Sequence, residues 1–431
     1  MMSKPSQPLM FILYVLLFVG LVTKNRTLLA LAIPFVLYIA TGLFFAPQKS
    51  NLQVERILSA DRVSQGIPVT VRLKITNQGA SIENLQVEDI LPAGLQILKG
   101  NSKLITSLKN GKTVELNYTL SGKRGYYHLP GLQIKISDLL GLIQKREGLT
   151  HSNRFLVLPV AYKLPEVAIR PRNTRVFPGL IPARKGGPGV EFFGVREYHS
   201  GDPVRWINER KSARYHGSLF VNEFEQERAV DVGLILDCRT GTNLFRGNSE
   251  LLEHGTQAAA TLAETFLSYG NRVGLLVYGG GRIWVHPGYG RIQRERILQA
   301  LATVRLYDRV IDKELSNLPT RLFPARSQLV LISSLLYEDL PTLISLRAHG
   351  YRLLVISPDP IDFESSLLGD DPLVTKASQI ARLERDFLLR QLRRSGARVF
   401  EWQVNQPFHQ VARYALSHAP FWQMKQEVTR V

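Results

Sequence analysis

The chain has 431 residues, which is too long for one typical hydrophobic core and predicts more than one domain. With 45% hydrophobic and 21% charged residues it is not a disordered chain, and a single cysteine, Cys238, excludes an intramolecular disulfide and a cysteine-rich metal cluster. The net charge of +18 favours an anionic partner: nucleic acid, acidic lipid headgroups or an acidic protein. Nucleic acid is not expected, because the basic residues are interleaved with acids and no recognisable binding module is present.

Residues 1–50 hold two uncharged segments, Pro8–Thr23 and Thr27–Ala46, separated by the three residues "KNR". About 20 apolar residues span a bilayer, so these segments predict a transmembrane helical hairpin. The alternative is a signal peptide followed by one anchor. The hairpin implies a multi-pass protein of the bacterial inner membrane that contacts lipid. Lys24 and Arg26 favour a cytoplasmic link between the helices, whereas Lys49 and the basic remainder favour a cytoplasmic body, which we expect.

Residues 51–165 consist of short runs in which apolar and polar residues alternate. In "VTVRLKITNQG", Val69, Val71, Leu73 and Ile75 fall on one face, and Asn77 begins a turn. Several strands at this spacing predict an immunoglobulin-like β-sandwich. The domain is either a spacer or a protein-binding module.

Residues 166–228 form a connector rich in proline, glycine and arginine. From Arg170 to Arg214 it has ten Lys or Arg residues against four Asp or Glu, which makes it locally basic.

Residues 229–431 alternate apolar runs with helical patterns, starting with "VDVGLILD" and "SELLEHGTQAAATLAETFLSYG". This alternation predicts a doubly wound α/β sheet, in which ligands bind at the carboxyl ends of the strands. The candidate site therefore lies in the loops that follow Asp237, Ile332 and Ile356.

The segment "LILDCRTGTN" resembles the opening of a von Willebrand factor A domain, in which an Asp-x-Ser-x-Ser pattern binds a divalent cation. Asp237 is present, but Arg239 and Gly241 replace the two serines, and Ser333 lies in the later loop where the family has another aspartate. Arg239 would bring a fixed positive charge to the ion's position. We therefore expect a degenerate site without a metal or another cofactor, in which Arg239 pairs with Asp237.

Catalytic patterns are weak in this sequence. There is no Gly-x-Ser-x-Gly elbow, and Cys238 directly follows a buried strand, where a small hydrophobic role is expected. We therefore expect no catalytic residues and no enzymatic activity.

The segment "VREYHSGDPVRWINERKSARYHGSLFVNEFEQE" resembles the signature of a bacterial membrane-protein family, domain of unknown function fifty-eight (DUF58). The matching positions are Arg196, Tyr198, Gly201, Asp202, Arg205, Ile207, Ser212, Ala213, Arg214, Val221 and Glu225. A second segment, "GKRGYYHLPGLQIKISDLLGL", matches at Arg124, Gly125, Tyr127, Asp138, Gly141 and Leu142.

The resemblance implies a partner, since such proteins accompany MoxR-type AAA+ ATPases and other A-domain membrane proteins. The function we expect is a non-enzymatic membrane-anchored scaffold or adaptor that works with such an ATPase on membrane or envelope complexes. The alternative is a metal-dependent adhesive or enzymatic domain that acts on the cell envelope. For the signature itself we expect an ion-pair lock, in which Asp202 and Glu209 pair with Arg196, Arg205 or Arg214.

Overall fold

The computed structural model describes residues 6–44, 51–137, 144–165, 167, 181–215, 217–228, 230–246, 249–279, 283–306, 314–319, 322–324, 327–368 and 372–417. The chain divides into two compact units, Met1–Leu158 and Pro159–Val431. The finer division into four segments stays a prediction.

Two apolar helices begin the first unit. Helix α1 covers Ser6–Val22, and α2 covers Arg26–Phe44 with Pro34 inside it. Across the described ranges, no helix combines the length and the apolar character needed to cross a membrane. At about 1.5 Å per residue, α1 and α2 measure about 26 and 28 Å, against a hydrocarbon thickness of about 30 Å. The predicted transmembrane hairpin is therefore wrong, and so is the predicted multi-pass localisation in the inner membrane.

The rest of the first unit is a β-sandwich. Its strands are β1 Leu52–Leu58, β2 Arg62–Ser64, β3 Val69–Asn77, β4 Ile82–Asp89, β5 Leu95–Gly100, β6 Lys103–Leu108, β7 Thr113–Gly122, β8 Gly125–Ser137 and β9 Gln144–Leu158. One sheet has the order β1-β3-β7-β5 and the other β2-β9-β8-β4-β6. All neighbouring strands are antiparallel except β2 and β9.

The two sheets share one core, because every second residue of their central strands points inward. Strand β3 buries Val69, Val71, Leu73 and Ile75, as the alternation in its sequence indicates. These side chains join one cluster with residues of β4, β8 and β9, which belong to the opposite sheet.

The second unit starts with a long antiparallel ribbon. Strand β10 covers Ile181–Glu197 and pairs with β11, Phe220–Arg228. The signature segment connects them through a 3-10 turn, Val204–Trp206, and the short helix α3, Glu209–Ser212. Between these two short helical segments, Ile207 forms an isolated bridge to Val221.

The remainder of the second unit alternates strands and helices. Its elements are β12 Asp231–Asp237, β13 Phe245–Arg246, β14 Ser249–Glu250, α4 Leu251–Ser268, β15 Arg272–Tyr278, β16 Ile283–Gly288, α5 Gly290–Thr303, β17 Gln328–Ile332, α6 Leu340–Ala348, β18 Arg352–Pro358, α7 Pro360–Leu368, α8 Pro372–Arg394, β19 Arg398–Trp402 and α9 Phe408–Ala415.

Six of these strands form one sheet in the order β16-β15-β12-β17-β18-β19. All pairs are parallel except the edge pair of β15 with β16. By chain position the order is 3-2-1-4-5-6, the arrangement of a doubly wound sheet, and its direction reverses between β12 and β17.

Helices cover both faces of this sheet. Side chains of α6 and α8 form one core with Ile235, Leu331 and Val355. On the opposite face, α4 approaches Leu236 and Ile332 so closely at Gly255 that a side-chain carbon there would lie 3.3 and 3.5 Å from them. In such a sheet, the crevice at the reversal of strand order lies at the carboxyl ends of the strands. Here that side of the sheet is formed by the loops after Asp237, Ile332 and Pro358, and we call it the carboxyl edge.

Candidate functional site

The carboxyl edge brings together the ends of β12 and β17, as a parallel pair requires. Leu236 lies opposite Ile332 in the register of the two strands. The residues that follow, Asp237 and Ser333, therefore meet, and the hydroxyl of Ser333 donates a hydrogen bond of 2.6 Å to Asp237 Oδ2. Both side chains lie at the position where doubly wound sheets bind ligands.

The guanidinium of Arg239 lies between two aspartates. Its Nε and Nη2 donate to Asp237 at 3.0 and 2.8 Å, and its Nη1 and Nη2 donate to Asp339 at 2.8 and 2.7 Å. The side chains of Arg239, Asp237 and Asp339 are 2%, 0% and 2% exposed. The pairing of Arg239 with Asp237 follows the sequence prediction, whereas Asp339 was not among the predicted site residues. We call these three residues and Ser333 the Arg239 cluster.

The electrostatics of the cluster favour a permanently charged arginine. Burial alone lowers the pKa of Arg239, but hydrogen bonds and charge from Asp339 and Asp237 outweigh it, so the net shift is upward. Two carboxylates facing one guanidinium also leave an excess of negative charge if both are ionised. Arg239 therefore keeps its positive charge near neutral pH and holds the two aspartates in a fixed geometry.

Local backbone geometry holds the loops of the cluster in place. Leu335 has a φ of 68°, which costs a non-glycine residue about 1–3 kcal/mol, and its N–H donates to Ser333 Oγ at 3.0 Å. Gly279 has a φ of 122°, and a side-chain carbon there would lie 2.4 Å from the Arg239 backbone nitrogen. A larger residue at position 279 would therefore displace Arg239.

Another buried arginine, Arg385 of α8, donates hydrogen bonds to residues at the neighbouring strand ends. It donates to Glu401 at 2.9 Å, to Ser357 Oγ at 2.9 Å and to the Ser334 carbonyl at 2.8 Å, and its Nε lies 3.7 Å from Asp359. Because Ser334 directly follows Ser333, polar contacts run along the carboxyl edge from β12 to β19.

The signature residues form a separate network at the end of the ribbon. Arg196 binds Asp202 through two hydrogen bonds of 2.7 Å, and its Nε lies 3.7 Å from Glu223. These bonds and the backbone N–H of His199 lower the pKa of Asp202 to about 2. Of the pairs expected for the lock, the one between Asp202 and Arg196 is present, whereas Arg205, Glu209 and Arg214 are exposed.

The other signature positions have structural contacts or face solvent. Gly201 turns with a φ of 107°, Tyr198 donates its backbone N–H to Leu219, and Ser212 Oγ accepts from the N–H of Phe220 at 2.8 Å. The remaining positions are Ala213, which ends α3, Arg205, which lies 6.0 Å from the Trp206 ring, and Glu225, whose backbone pairs with Gly186.

Gly241 lies in the 3-10 turn Thr240–Thr242, outside the Arg239 cluster. In the second matched segment, Arg124 and Tyr127 are buried, Gly125 begins β8, and the Tyr127 hydroxyl donates to the Lys123 carbonyl at 2.7 Å. The other three matched positions, Asp138, Gly141 and Leu142, lie outside the described residues.

Comparison with solved structures finds partial similarity. A FixG-related protein from Vibrio parahaemolyticus has a TM-score of 0.17 and 12% identity, covering 26% of this chain and 98% of that chain. The cupredoxin domain of amoB from Nitrosocaldus yellowstonii has a TM-score of 0.19 and 15% identity, covering 27% and 95%. Scores this low support no conclusion about fold or function.

Sequence comparison is more informative. The uncharacterised protein YeaD of Bacillus subtilis (strain 168) is 24% identical over 255 residues, which are 57% of this chain and 60% of YeaD. The match therefore spans about three fifths of that relative's length. Residues 194–382 match the family described as protein of unknown function DUF58, and this segment includes the signature and the whole Arg239 cluster. Over residues 194–382, this chain is therefore similar to the DUF58 family.

Proposed function

We propose that this protein is a non-enzymatic adaptor that recognises a partner protein at the carboxyl edge of its α/β sheet without the help of a metal ion. The observation that carries the proposal is the guanidinium of Arg239 between Asp237 and Asp339, with Ser333 bonded to the same carboxylate. In the von Willebrand factor A domains that this segment resembles, a divalent cation has the corresponding role.

The loops around the cluster offer a surface for a partner. Thr240, Gly241, Tyr337 and Glu338 are exposed beside the buried charges, and Tyr337 is 59% exposed in the turn that also carries Asp339. Tyrosine is enriched among residues that contribute most to protein interfaces. The buried, ion-paired Arg239 cluster beneath exposed loops suits protein recognition better than the binding of a small molecule.

For the partner we propose a MoxR-type AAA+ ATPase. The support is the resemblance of the signature segment to proteins that accompany such ATPases. In this role the chain would recruit the ATPase to complexes whose assembly or maturation requires it.

Binding between the purified full chain and a purified MoxR-type ATPase from the same organism tests the proposal. We expect equal affinity in excess Mg²⁺ and in excess EDTA. Tyr337→Ala should weaken binding about tenfold, a loss of about 1.4 kcal/mol, because it truncates an exposed aromatic anchor. Tyr414→Ala is the matched control, since Tyr414 is 76% exposed on α9. Absence of binding, or loss of binding in EDTA, would overturn the proposal, and the second result would favour a metal-dependent domain.

A further inference from the structure

Helix α8 has two apolar faces, and its own domain covers one of them. Leu388, Leu389 and Leu392 are at most 6% exposed and belong to the core beneath the helix. Four other large apolar residues remain in solvent: Leu373, Ile380, Leu383 and Phe387 are 75%, 62%, 71% and 54% exposed. We call these four residues the α8 stripe.

The spacing of the stripe places its members on one line along the helix. Successive members are seven, three and four residues apart, which is the pattern of a heptad seam. Leu389 follows Ile380 by nine residues, or two and a half turns, so it lies on the opposite side of α8. The side that packs on the sheet is therefore not the side that carries the stripe.

A stripe of this size is unusual for the surface of a domain. Single exposed leucines are ordinary, but contiguous apolar patches mark interaction surfaces. The stripe runs for about 21 Å, four turns of helix, which is enough to contact about two heptads of a partner helix.

The charges that border the stripe define the partner's chemistry. On the side of α8 that carries the stripe lie three cations, Lys376, Arg390 and Arg394, and one acid, Glu384. Arg390 binds Asp386 at 2.9 Å. In the described part of the chain, no ion pair joins Lys376 or Arg394 to an acid. The border is therefore positive and complementary to acidic side chains.

We infer that the α8 stripe docks an amphipathic helix of a partner protein, with apolar residues on one face and acidic residues beside them. A second copy of this chain fits less well, because it would bring two positive borders together. An anionic bilayer would meet the same positive border, but a lipid surface does not require the heptad spacing of the four apolar residues, whereas a partner helix does.

This surface is independent of the carboxyl-edge proposal. Substitutions in the stripe leave the Arg239 cluster and Tyr337 unchanged. Loss of binding at one surface can therefore be measured while binding at the other is intact.

A labelled synthetic peptide of three heptads, with Leu at positions a and d and Glu at e and g, is the probe. Fluorescence anisotropy with the full chain should show binding that falls at least tenfold in an Ile380→Ser, Leu383→Ser, Phe387→Ser variant. Ile292→Ser with Ile344→Ser is the matched control, since both residues are exposed on other helices. Because all five side chains are exposed, both variants should melt at the temperature of the unchanged chain.

Four outcomes would overturn the inference. The first is binding that the stripe variant leaves unchanged, and the second is equal binding of a peptide with Lys in place of Glu. The third is a dimer in light scattering that the stripe variant abolishes, which would assign the stripe to a second copy. The fourth is flotation with phosphatidylglycerol vesicles without peptide binding, which would assign it to lipid.

Discussion

Arg56 and Arg239 are both buried, one in the first unit and one in the second, and their surroundings differ. In the sandwich, Arg56 of β1 pairs with Asp89 of β4, and both side chains are 0% exposed. Tyr118 also donates to Asp89, at 2.6 Å, and Arg56 donates to the carbonyl of His151 at 2.8 Å. Burial and the bond to Asp89 raise the pKa of Tyr118, so the hydroxyl stays protonated. In the α/β sheet, Arg239 instead faces two aspartates.

The difference separates a structural ion pair from a candidate site. Strands β1 and β4 belong to opposite sheets, so the pair of Arg56 with Asp89 ties the sandwich together with one charge of each sign. The Arg239 cluster has excess acid and lies at the reversal of strand order, under exposed loops. Burial of an ion pair therefore does not by itself indicate a functional site. The features that mark the Arg239 cluster as a candidate are its two acids for one cation and its place at the reversal of strand order.

Removal of Arg239 should have the largest effect on stability. Arg239→Met leaves two buried carboxylates without a cation and should lower the free energy of unfolding by about 5 kcal/mol, the upper end for a broken buried pair. Urea denaturation followed by circular dichroism measures this loss.

A matched variant sharpens the result. Arg239→Ser with Gly241→Ser restores the Asp-x-Ser-x-Ser pattern at Asp237, so Mg²⁺ should recover part of its lost stability and should not change the unsubstituted chain. A fully stable Arg239→Met variant would contradict the role assigned to the guanidinium.

Removal of Arg56 should cost less, about 3 kcal/mol in the same measurement, because only Asp89 loses its cation and Tyr118 still donates to it. Replacing the whole group by Arg56→Met, Asp89→Leu and Tyr118→Phe should recover most of that loss, since apolar residues often replace a buried ion pair at little cost. If the triple variant is less stable than Arg56→Met alone, the pair has more than a structural role.

Removal of one hydroxyl from the Arg239 cluster should have a moderate effect. Ser333→Ala deletes the 2.6 Å bond to Asp237 and should lower the free energy of unfolding by about 2 kcal/mol, as expected for a buried hydrogen bond to a charged group. Ser345→Ala, at an exposed position of α6, is the control and should change stability by less than about 0.5 kcal/mol. Equal effects would remove Ser333 from the cluster.

The half-buried pair of Arg196 with Asp202 should have the smallest effect, visible mainly in the titration of Asp202. The folded pKa of Asp202 is lowered to about 2, so the pair stabilises the fold above the unfolded pKa of about 3.9. That contribution is lost as the pH falls through about 2. Carboxyl-carbon NMR should show this midpoint, and Arg196→Met should move it back towards 3.9. A midpoint near 3.9 in the unsubstituted chain would contradict the pairing.

The sequence predicts local features of this protein better than distant contacts. The pairing of Asp237 with Arg239 was predictable because the two residues are two positions apart at a strand end. Asp339 was missed because it lies 100 residues from Arg239 and meets it only through the pairing of β12 with β17. The aspartate in "LISSLLYED", six residues after Ser333, was the available signal.

From the sequence, Arg56 was also missed, although this residue lies on the apolar face of a strand with alternating polarity. Leu52, Val54, Arg56 and Leu58 share one face of β1, and only the arginine breaks its apolar character. Asp89 likewise ends the buried face of β4. A charged residue on the apolar face of each of two strands is therefore a sequence signal for a buried ion pair. The N-terminal segments led to the opposite error. Their lack of charge predicted a bilayer span, but the helices are not long and apolar enough to form one.

The covalent attachment of the guanidinium at the carboxyl edge has a thermodynamic consequence. A dissociable ion obeys mass action, so its contribution grows with concentration and disappears under chelation. Arg239 is part of the chain, so its positive charge lies between the two aspartates whenever the domain is folded. In the adaptor role proposed above, the state of this edge would therefore not depend on the supply of divalent cations.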